Sequence, residues 1–210
     1  MPFASAPDSP NPDPHWQHWL DERRTDALDK FTKRIPARYI ESIPLPAKVE
    51  QWTAAGMQQT DSLFLTGHIG VGKTHTAWTA AREWLAACYG HAYRSNPVIE
   101  IHRSTSLFDS LRPEGDDPHG TSKRAKEADL LFIDDLAAAR VSPTGWTQER
   151  LYEIFDERYV QQRPVIMTCD VLPRELEPIV GPRVASRLAE MCADHVVFLK
   201  GGDRRTGGAR

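Results

Sequence analysis

The chain has 210 residues, of which 40% are hydrophobic and 26% charged, a composition typical of a globular protein and not of a disordered one. Its longest stretch without Asp, Glu, Lys or Arg is the eleven residues from Ser62 to Gly72, whereas a membrane-spanning helix needs about 20 apolar residues. The first basic residue is Arg23, so we expect no secretion signal. With 26 Lys and Arg against 29 Asp and Glu, the net charge of −3 excludes nucleic-acid binding by bulk positive charge.

The cysteines do not suggest a disulfide framework. Cys88, Cys169 and Cys192 are widely spaced, and none belongs to a Cys-x-x-Cys pair. An odd number also leaves at least one thiol unpaired. Reduced thiols of this kind are typical of a cytoplasmic protein, which is the location that we expect.

The N-terminal part of the chain has three compositions in succession. Residues 1–14 contain five prolines and predict a disordered lead. Apolar residues recur at three- and four-residue steps in residues 15–33, which indicates an amphipathic helix that either docks on the core or forms a partner surface. Three prolines between residues 36 and 46 then break the chain. The expected division is a lead 1–14, a helical extension and linker 15–48, a core 49–205 and a basic tail 206–210.

Short apolar runs alternate with helical windows through the core. The five runs predicted to be strands are Ser62–Thr66, Val98–Ile101, Leu130–Ile133, Val165–Thr168 and His195–Leu199. Thr74–Cys88 and Trp146–Tyr159 have helical spacing. This alternation predicts an α/β protein with a mainly parallel sheet between two helical layers, because parallel strands need crossover connections. Residues Pro113–Thr121, rich in proline, glycine and acids, predict a mobile surface loop.

The first predicted strand is followed by a glycine-rich motif with the spacing G-x-x-x-x-G-K-[ST]. Its glycines let the backbone wrap around phosphate oxygens, Lys73 reaches the β- and γ-phosphates, and the Thr74 hydroxyl ligates Mg²⁺. The helix that begins here directs the positive end of its dipole at the same place. The strand before and the helix after provide the required context, so we predict a phosphate-binding loop. Its nucleotide-binding residues are Gly67, His68, Gly70, Val71, Gly72, Lys73 and Thr74.

Two adjacent acids, Asp134 and Asp135, end the third predicted strand. Two carboxylates at the end of a buried strand are costly to desolvate unless a cation lies beside them, and magnesium bound with ATP would be that cation. We predict that Asp134 holds the metal, directly or through water. Asp135 is predicted to orient or activate the attacking water, with capping of the next turn as the alternative.

Polar residues later in the chain are further candidates. The fourth predicted strand ends in Thr168-Cys169-Asp170, where Thr168 either reaches the γ-phosphate or its water, or caps the next helix. Arg183 and Arg187 lie four residues apart, on one face of a predicted helix. Glu190 is a local partner for Arg187, whereas Arg183 has no acid one turn away. A functional arginine here is expected to contact a phosphate held by a neighbouring subunit.

Together these residues resemble the AAA+ ATPases of the DnaC/DnaI helicase-loader group, which also includes IstB-type transposition helpers. The resemblance extends from about Ile35 to Arg205. The order of the Asp-Asp strand end and the later Arg-x-x-x-Arg-Leu segment is more specific than the phosphate loop alone. The segments that carry it are Ile35-Pro36-Ala37-Arg38-Tyr39, Gly72-Lys73-Thr74-His75, Leu130-Leu131-Phe132-Ile133-Asp134-Asp135-Leu136, Leu151-Tyr152-Glu153-Ile154 with Arg158-Tyr159, Pro164-Val165-Ile166-Met167-Thr168 and Arg183-Val184-Ala185-Ser186-Arg187-Leu188.

The resemblance implies a P-loop NTPase of AAA+ type, a three-layer sandwich around a five-stranded, mainly parallel sheet. It further implies a short helical N-terminal extension and no large C-terminal lid. By this resemblance Asp134 is the Walker B metal residue, Asp135 is the catalytic acid and Arg187 is an arginine finger. Lys73 and Thr168 complete the set of predicted catalytic residues. The residues that the resemblance adds to the nucleotide site are His75, Tyr39, Ile40 and, as a second sensor, Arg205.

The implied function is that of an ATP- and Mg²⁺-dependent ATPase in DNA replication. It would be a DnaC-like loader that grips single-stranded DNA in its ATP state, delivers a replicative helicase, and assembles with itself or on the helicase. Two alternative functions remain. One is an IstB-like transposition helper that acts on duplex DNA, and the other is a nucleotide-gated adaptor with little hydrolysis. A small-molecule kinase is disfavoured because no acceptor pocket is recognisable.

Two features depart from the group's pattern. Asp170 stands where a neutral Asn is usual, and a carboxylate there repels the γ-phosphate and favours slow hydrolysis. Only about 45 residues precede the core, fewer than the substantial helicase-binding domain that the loaders usually carry. ATP binding is therefore the firmer expectation, and helicase loading depends more on the resemblance.

Overall fold

The computed structural model describes residues 14–89, 96–138 and 145–203. The strands are β1 (Leu63–Thr66), β2 (Ile99–Arg103), β3 (Leu130–Asp134), β4 (Val165–Thr168) and β5 (Val196–Phe198). The helices are α1 (Pro14–Thr32), α2 (Ala47–Ala54), α3 (Lys73–Cys88), α4 (Ser104–Leu111), α5 (Pro118–Glu127), α6 (Trp146–Val160), α7 (Glu177–Val180) and α8 (Pro182–Cys192). All five predicted strands are present, with ends that differ by two residues at most. The basic tail 206–210 and all but the last residue of the predicted disordered lead lie outside the described residues.

The strands form one parallel sheet in the order β2-β3-β4-β1-β5. Parallel strands end at the same edge, so the segments that follow β1, β3 and β4 meet there. The pairing of Leu65 with Thr168 and of Ile133 with Met167 brings the ends of these three strands level. The predicted α/β fold with a five-stranded parallel sheet is therefore confirmed. Within residues 14–203, no helical lid follows β5.

Each face of the sheet has its own hydrophobic core. Successive strand residues point to opposite faces, so Leu130 and Phe132 pack against the α3 side while Leu131 and Ile133 pack against the α6 and α8 side. All four side chains are fully buried. Strands buried on both faces read as the continuous apolar runs seen in the sequence. No described helix is both long and apolar enough to cross a bilayer.

Helix α1 docks on the core through its C-terminal end. Phe31 is 3% exposed and its ring centroid lies 6.0 Å from that of Trp78 on α3. Ile35, just after the helix, is buried in the same core. Trp19, nearer the start of the helix, is one of the exposed large apolar residues. Of the two alternatives for this helix, docking on the core therefore applies to its C-terminal end.

The loop predicted at Pro113–Thr121 is wrong in its second half, because α5 begins at Pro118. The Asp117 carboxylate accepts a hydrogen bond from the Gly120 backbone N–H at 2.9 Å, and the proline occupies the first helical position. Asp as N-cap followed by Pro is a strong helix start. Arg124, on the next turn, donates to the same carboxylate at 2.9 Å. The Asp-Pro start of this helix is visible in the sequence, but the proline and glycine content of the segment favoured a loop.

Arg158 on α6, named in the sequence only as part of a family segment, is a fully buried cation. Its Nη1 donates to the carbonyls of Ala125 and Ala128 at 2.9 Å, and its Nη2 donates to that of Pro164 at 2.6 Å. Burial lowers the pKa of Arg158 to about 9, with the nearby cation Arg163 acting in the same direction and Asp129 in the opposite one. One guanidinium thus ties the end of α5 and the starts of β3 and β4 together.

Candidate nucleotide-binding site

The phosphate loop joins β1 to α3 and has glycine with positive φ at three positions, Gly67, Gly70 and Gly72, the last with φ +103°. Gly67 has φ +142°, and a Cβ there would lie 2.4 Å from the Leu199 carbonyl oxygen. Gly70 has φ +86°, and a Cβ there would lie 2.0 Å from the Asp203 carboxylate. Residues with a side chain rarely adopt a backbone conformation with such a φ. Because α3 starts at Lys73, the N–H groups of its first turn lie beside the loop, an arrangement suited to an anion.

Lys73 holds the two ends of the loop together. Its Nζ donates to the carbonyls of Gly67 at 2.8 Å and His68 at 3.1 Å. An incoming phosphate would compete with these carbonyls for the ammonium. Among the other predicted loop residues, Val71 is buried in the α3-side core, and the His68 ring contacts Phe198 of β5 edge-on.

Asp134 is the meeting point of the loop and two strands. Its Oδ1 accepts hydrogen bonds from the Thr74 hydroxyl at 2.9 Å and from the Thr168 hydroxyl at 2.7 Å. Thr168 Oγ1 also accepts the Asp135 N–H at 2.8 Å. The structure thus brings together three residues predicted to share one site from separate parts of the sequence. Here Thr168 holds both adjacent aspartates, which is a positioning role.

Asp135 turns out of the strand with φ +58°, a left-handed conformation uncommon for residues other than glycine. Its side chain lines the same cavity as Lys73. Desolvation raises the pKa of Asp135, and the nearby carboxylates of Asp170 and Asp134 raise it further, while Lys73 acts in the opposite direction. A carboxylate with a raised pKa, in strained backbone at a cavity, is typical of a group that accepts a proton.

The cavity has a volume of about 550 Å³, enough for a small-molecule ligand. Its lining residues are Arg38, Tyr39, Ile69, Gly70, Gly72, Lys73, Thr74, His75, Arg103, Ser104, Thr105, Asp134, Asp135, Ala138, Thr168 and Asp170. Sequence reasoning missed Arg103, whose position two residues after the predicted strand Val98–Ile101 was the available signal. Arg38 was noted only as part of a family segment.

The linker before the core crosses the start of α3 and borders this cavity. The Tyr39 ring lies 5.6 Å from that of His75, whose Nε2 hydrogen-bonds the Glu41 carbonyl at 2.6 Å. Tyr39 and His75 therefore both line this cavity, and their contact with a nucleotide stays a prediction. Ile40, predicted to lie near the adenine, is 46% exposed and does not line it.

The donor atoms of the site suit magnesium. The Thr74 hydroxyl and the Asp134 carboxylate lie in contact, and oxygen donors are the ligands that Mg²⁺ prefers. Among the described residues, no group of three or more His, Cys, Asp or Glu side chains is arranged to hold a metal by itself. Magnesium would therefore need phosphate oxygens and water as its remaining ligands, as in other triphosphate sites. These two residues fit a metal that arrives with the nucleotide.

Arg187 lies away from this cavity, between α6 and α8. It forms an ion pair with Asp156, and its guanidinium lies 5.1 and 5.2 Å from the ring centroids of Tyr152 and Tyr159. The local partner expected from the sequence, Glu190, instead accepts a hydrogen bond from the Tyr159 hydroxyl. That expectation was wrong because Asp156 is distant in sequence but adjacent in space.

Of the two other arginines that the sequence singled out, the structure describes Arg183 but not Arg205. Arg183 is exposed and lies 5.6 Å from the Tyr152 ring centroid, on the same surface as Arg187. Arg205, predicted as a second sensor, lies outside the described residues together with Arg204.

The sheet order, the phosphate loop after β1 and the acid that ends β3 define a P-loop ATPase domain of AAA+ type. The sequence profile of the bacterial DnaA ATPase domain matches residues 46–192, and the chain belongs to that family. This confirms the predicted membership of the AAA+ replication ATPases. The predicted limits of the core, 49–205, stay a prediction.

Two curated proteins are similar to this chain in sequence, each over only part of its own length. The phage-like element PBSX protein XkdC of Bacillus subtilis strain 168 is 31% identical over 144 residues, which is 67% of this chain and 51% of that protein. The replication initiator DnaA of Lactobacillus johnsonii is 30% identical over 128 residues, 60% of this chain and 26% of that protein. The chain thus spans about half or less of these curated relatives.

Two helicase-loader structures share the fold at low identity. A DnaI crystal structure has a TM-score of 0.55 at 16% identity and covers 95% of this chain and 88% of its own. The DnaC helicase loader has a TM-score of 0.51 at 19% identity and covers 91% and 93%. At these identities the likeness establishes the fold alone.

Proposed function

We propose that this protein binds ATP with Mg²⁺ in the cavity at the phosphate loop and hydrolyses it to ADP and phosphate. The observation that carries the proposal is the convergence of the Thr74 and Thr168 hydroxyls on Asp134 Oδ1. It joins the end of the phosphate loop to the acid of β3 at a cavity large enough for a nucleotide.

Each side chain has a role in this proposal. Lys73 exchanges its loop carbonyls for the β- and γ-phosphates, and the amides of the loop bind the same oxygens. Thr74 and Asp134 hold magnesium, which neutralises phosphate charge when bound. Asp135 orients the attacking water and accepts its proton, while Thr168 keeps both aspartates in place. Tyr39 and His75 border the base, and Arg205 is a proposed second sensor.

The ATP state is proposed to act in DNA replication, as in a DnaC-like loader that grips single-stranded DNA and delivers a replicative helicase. The shared fold with DnaI and DnaC over most of both chains supports this proposal. A DnaA structure with the same fold, TM-score 0.56 at 21% identity, is bound to AMPPCP and single-stranded DNA. Assembly of several subunits, or of this chain on a helicase, belongs to the same proposal.

Steady-state ATP turnover with and without single-stranded DNA tests the proposal. We expect turnover in the wild-type protein and a loss of about 100-fold or more in Asp135→Asn, with nucleotide affinity retained, because only the proton acceptor is removed. Asp29→Asn, the same substitution at an exposed carboxylate on α1 outside the cavity, is the matched control. Stimulation by duplex DNA in preference to single strands would favour the IstB-like alternative. Equal turnover in Asp135→Asn and wild type would contradict the assignment of the acid.

A nucleotide-gated adaptor with little hydrolysis is a second candidate, favoured by Asp170. This carboxylate lines the cavity and contributes to the raised pKa of Asp135. A third acid beside the triphosphate opposes the charge that develops during hydrolysis. ATP binding without measurable turnover, with or without DNA, would select this candidate.

Arg187 is proposed to act on a neighbouring subunit's nucleotide, which a mixing experiment tests. Arg187→Ala should lose turnover by about 10³-fold, and mixing it with Asp135→Asn should restore part, because each mutant supplies what the other lacks. Asp156→Asn removes the ion-pair partner but keeps the guanidinium, so it should not lose turnover. Circular dichroism of each variant checks the α6–α8 packing. No restored turnover in the mixture, with all variants folded, would make Arg187 a structural residue.

A further inference from the structure

Tyr152 of α6 contacts two arginines of α8. Its side chain is partly buried against the core on the α6 and α8 side of the sheet. The guanidinium carbon of Arg187 lies 5.1 Å from the centroid of the Tyr152 ring, and that of Arg183 lies 5.6 Å from it. Two arginines four residues apart on one helix repel each other, whereas the negative face of an aromatic ring attracts both. The proposed ATPase leaves this tyrosine without a role.

Three residues on one face of α6 contact Arg187. Tyr152, Asp156 and Tyr159 are four and then three residues apart, which places them on the same side of the helix. The two ring centroids lie 5.1 and 5.2 Å from the guanidinium carbon, and Asp156 forms the ion pair. The Tyr159 hydroxyl is engaged elsewhere, because it donates to the Glu190 carboxylate at 2.7 Å. These contacts anchor the side chain of Arg187 to the neighbouring helix.

The rings and the acid hold the guanidinium in different ways. An aromatic face attracts the cation without accepting its N–H groups, whereas the Asp156 carboxylate accepts them. A phosphate would therefore compete with Asp156 for these N–H groups and leave the ring contacts in place. The Tyr152 hydroxyl contributes little, because its oxygen lies 3.5 Å from Arg187 Nη2. The ring of Tyr152, and not its hydroxyl, is the part that restricts where the guanidinium lies.

The guanidinium can be reached from solvent and has a donor to spare. The side chains of Arg187 and Asp156 are 25% and 35% exposed, so their ion pair lies at the surface. Arg187 Nε is buried, and among the described residues it has no hydrogen-bond partner. An arginine side chain has many rotamers, and a ligand that must fix it loses binding free energy. Contacts that restrict the side chain beforehand lower this cost.

We propose that Tyr152 is a positioning residue for Arg187. Its ring keeps the guanidinium at the surface between α6 and α8, where Arg187 exchanges Asp156 for a phosphate of the nucleotide held by a neighbouring copy of this chain. The inference rests on the proposed function, because it requires that Arg187 acts on a neighbouring subunit. Tyr152 acts through Arg187 and has no contact of its own with the reacting atoms.

Steady-state ATP turnover of the full-length wild-type protein, Tyr152→Leu and Tyr152→Phe tests the ring contact. Tyr152→Leu should lower kcat about 10-fold, since the ring is lost, and leave KM for ATP unchanged, because the phosphate loop of the same subunit is intact. Tyr152→Phe keeps the ring and should stay within about twofold of the wild-type protein, which makes it the matched control. Circular dichroism checks the fold, and Tyr152→Met replaces the leucine variant if that variant unfolds.

Two further measurements separate positioning from a structural role. Adding Tyr152→Leu to Arg187→Ala should cause no further loss, because the guanidinium that the ring positions is already absent. Mixing Tyr152→Leu with Asp135→Asn should restore turnover, since the Asp135→Asn subunit supplies a correctly held Arg187 to a site with an intact acid. A defect in the packing of α6 would add to the first loss and would not be relieved by mixing.

Self-association provides a measurement that needs no hydrolysis. If the wild-type protein binds ATP without turnover, the same variants are compared by sedimentation in the presence of Mg²⁺ and a nonhydrolysable ATP analogue. Tyr152→Leu should then weaken the association about 10-fold, Tyr152→Phe should not, and the loss should again be absent in the Arg187→Ala background.

The outcomes distinguish this inference from the proposed function. A loss in Arg187→Ala without a loss in Tyr152→Leu overturns the positioning role and leaves the proposed function standing. An equal loss in Tyr152→Phe would assign the effect to the hydroxyl, and losses that multiply in the double variant would make Tyr152 structural; both overturn the inference. Full activity of Arg187→Ala, or a wild-type protein with neither turnover nor self-association, contradicts the proposed action of Arg187 between subunits and the inference with it.

Discussion

Lys73→Ala should abolish measurable ATP binding, with affinity reduced by at least about 100-fold. Lys73 is the only lysine among the residues that line the described nucleotide cavity, and its Nζ already lies over the loop that would hold the phosphates. Its loss removes a charge-assisted bond to two phosphate groups at once, and leaves three carboxylates in the cavity with less opposing charge. Titration with a fluorescent ATP analogue in the presence of Mg²⁺ measures the effect.

The same substitution should leave the fold intact. In the free protein Lys73 bonds only two carbonyls of its own loop, so we expect the midpoint of thermal unfolding to change by no more than a few degrees. Lys33→Ala, an exposed lysine after α1, is the control for removal of one positive charge. ATP affinity equal to that of the wild-type protein in Lys73→Ala would remove the phosphate-loop assignment.

The parts of the site that could be predicted are those marked by a pattern of residues within one short segment of the sequence. The glycine spacing before Lys73 and the apolar run before Asp134 each identify a strand end without knowledge of the partner strand. Parallel pairing then requires both ends to lie at one edge, and the structure joins them through Thr74 at 2.9 Å. The strand order, which the sequence did not predict, leaves only β4 between the ends of β1 and β3.

Contacts between distant segments were not predictable in this way. The pairing of Arg187 with Asp156 depends on how α6 packs against α8, which no i, i+3 or i, i+4 rule describes. The contact of His75 with the Glu41 carbonyl likewise depends on the path of the linker over α3.

The nucleotide cavity is balanced in charge only if all its cations are counted. Three carboxylates line it, and three cationic side chains oppose them: Lys73, Arg38 and Arg103. A triphosphate adds about four negative charges and magnesium returns two, so the complex needs every one of these cations. If ATP binds as proposed, we expect Arg38 and Arg103 to offset the charge of the third acid, Asp170.

Arg158→Ala should lower the free energy of unfolding by about 3–5 kcal/mol, from unsatisfied carbonyls and a new cavity, which is a large share of the stability of a domain of this size. The guanidinium is fully buried and satisfies the carbonyls of Ala125, Ala128 and Pro164. Its removal leaves these carbonyls without their donors and opens a cavity between α5, α6 and the sheet. The loss of stability therefore comes from buried carbonyl groups without hydrogen-bond donors and not from a broken ion pair.

Urea unfolding followed by circular dichroism measures this loss, with an unchanged slope as the sign that the folded state keeps its compactness. Arg163→Ala is the matched control, because Arg163 donates one bond to the Lys126 carbonyl from a partly exposed position and should cost about 1 kcal/mol or less. Arg158→Lys should fall between the two, since one ammonium cannot reach carbonyls on both sides of the planar group. A loss below about 1 kcal/mol in Arg158→Ala would mean that water replaces the guanidinium. The junction of α5, β3 and β4 would then be open to solvent rather than held by a buried cation.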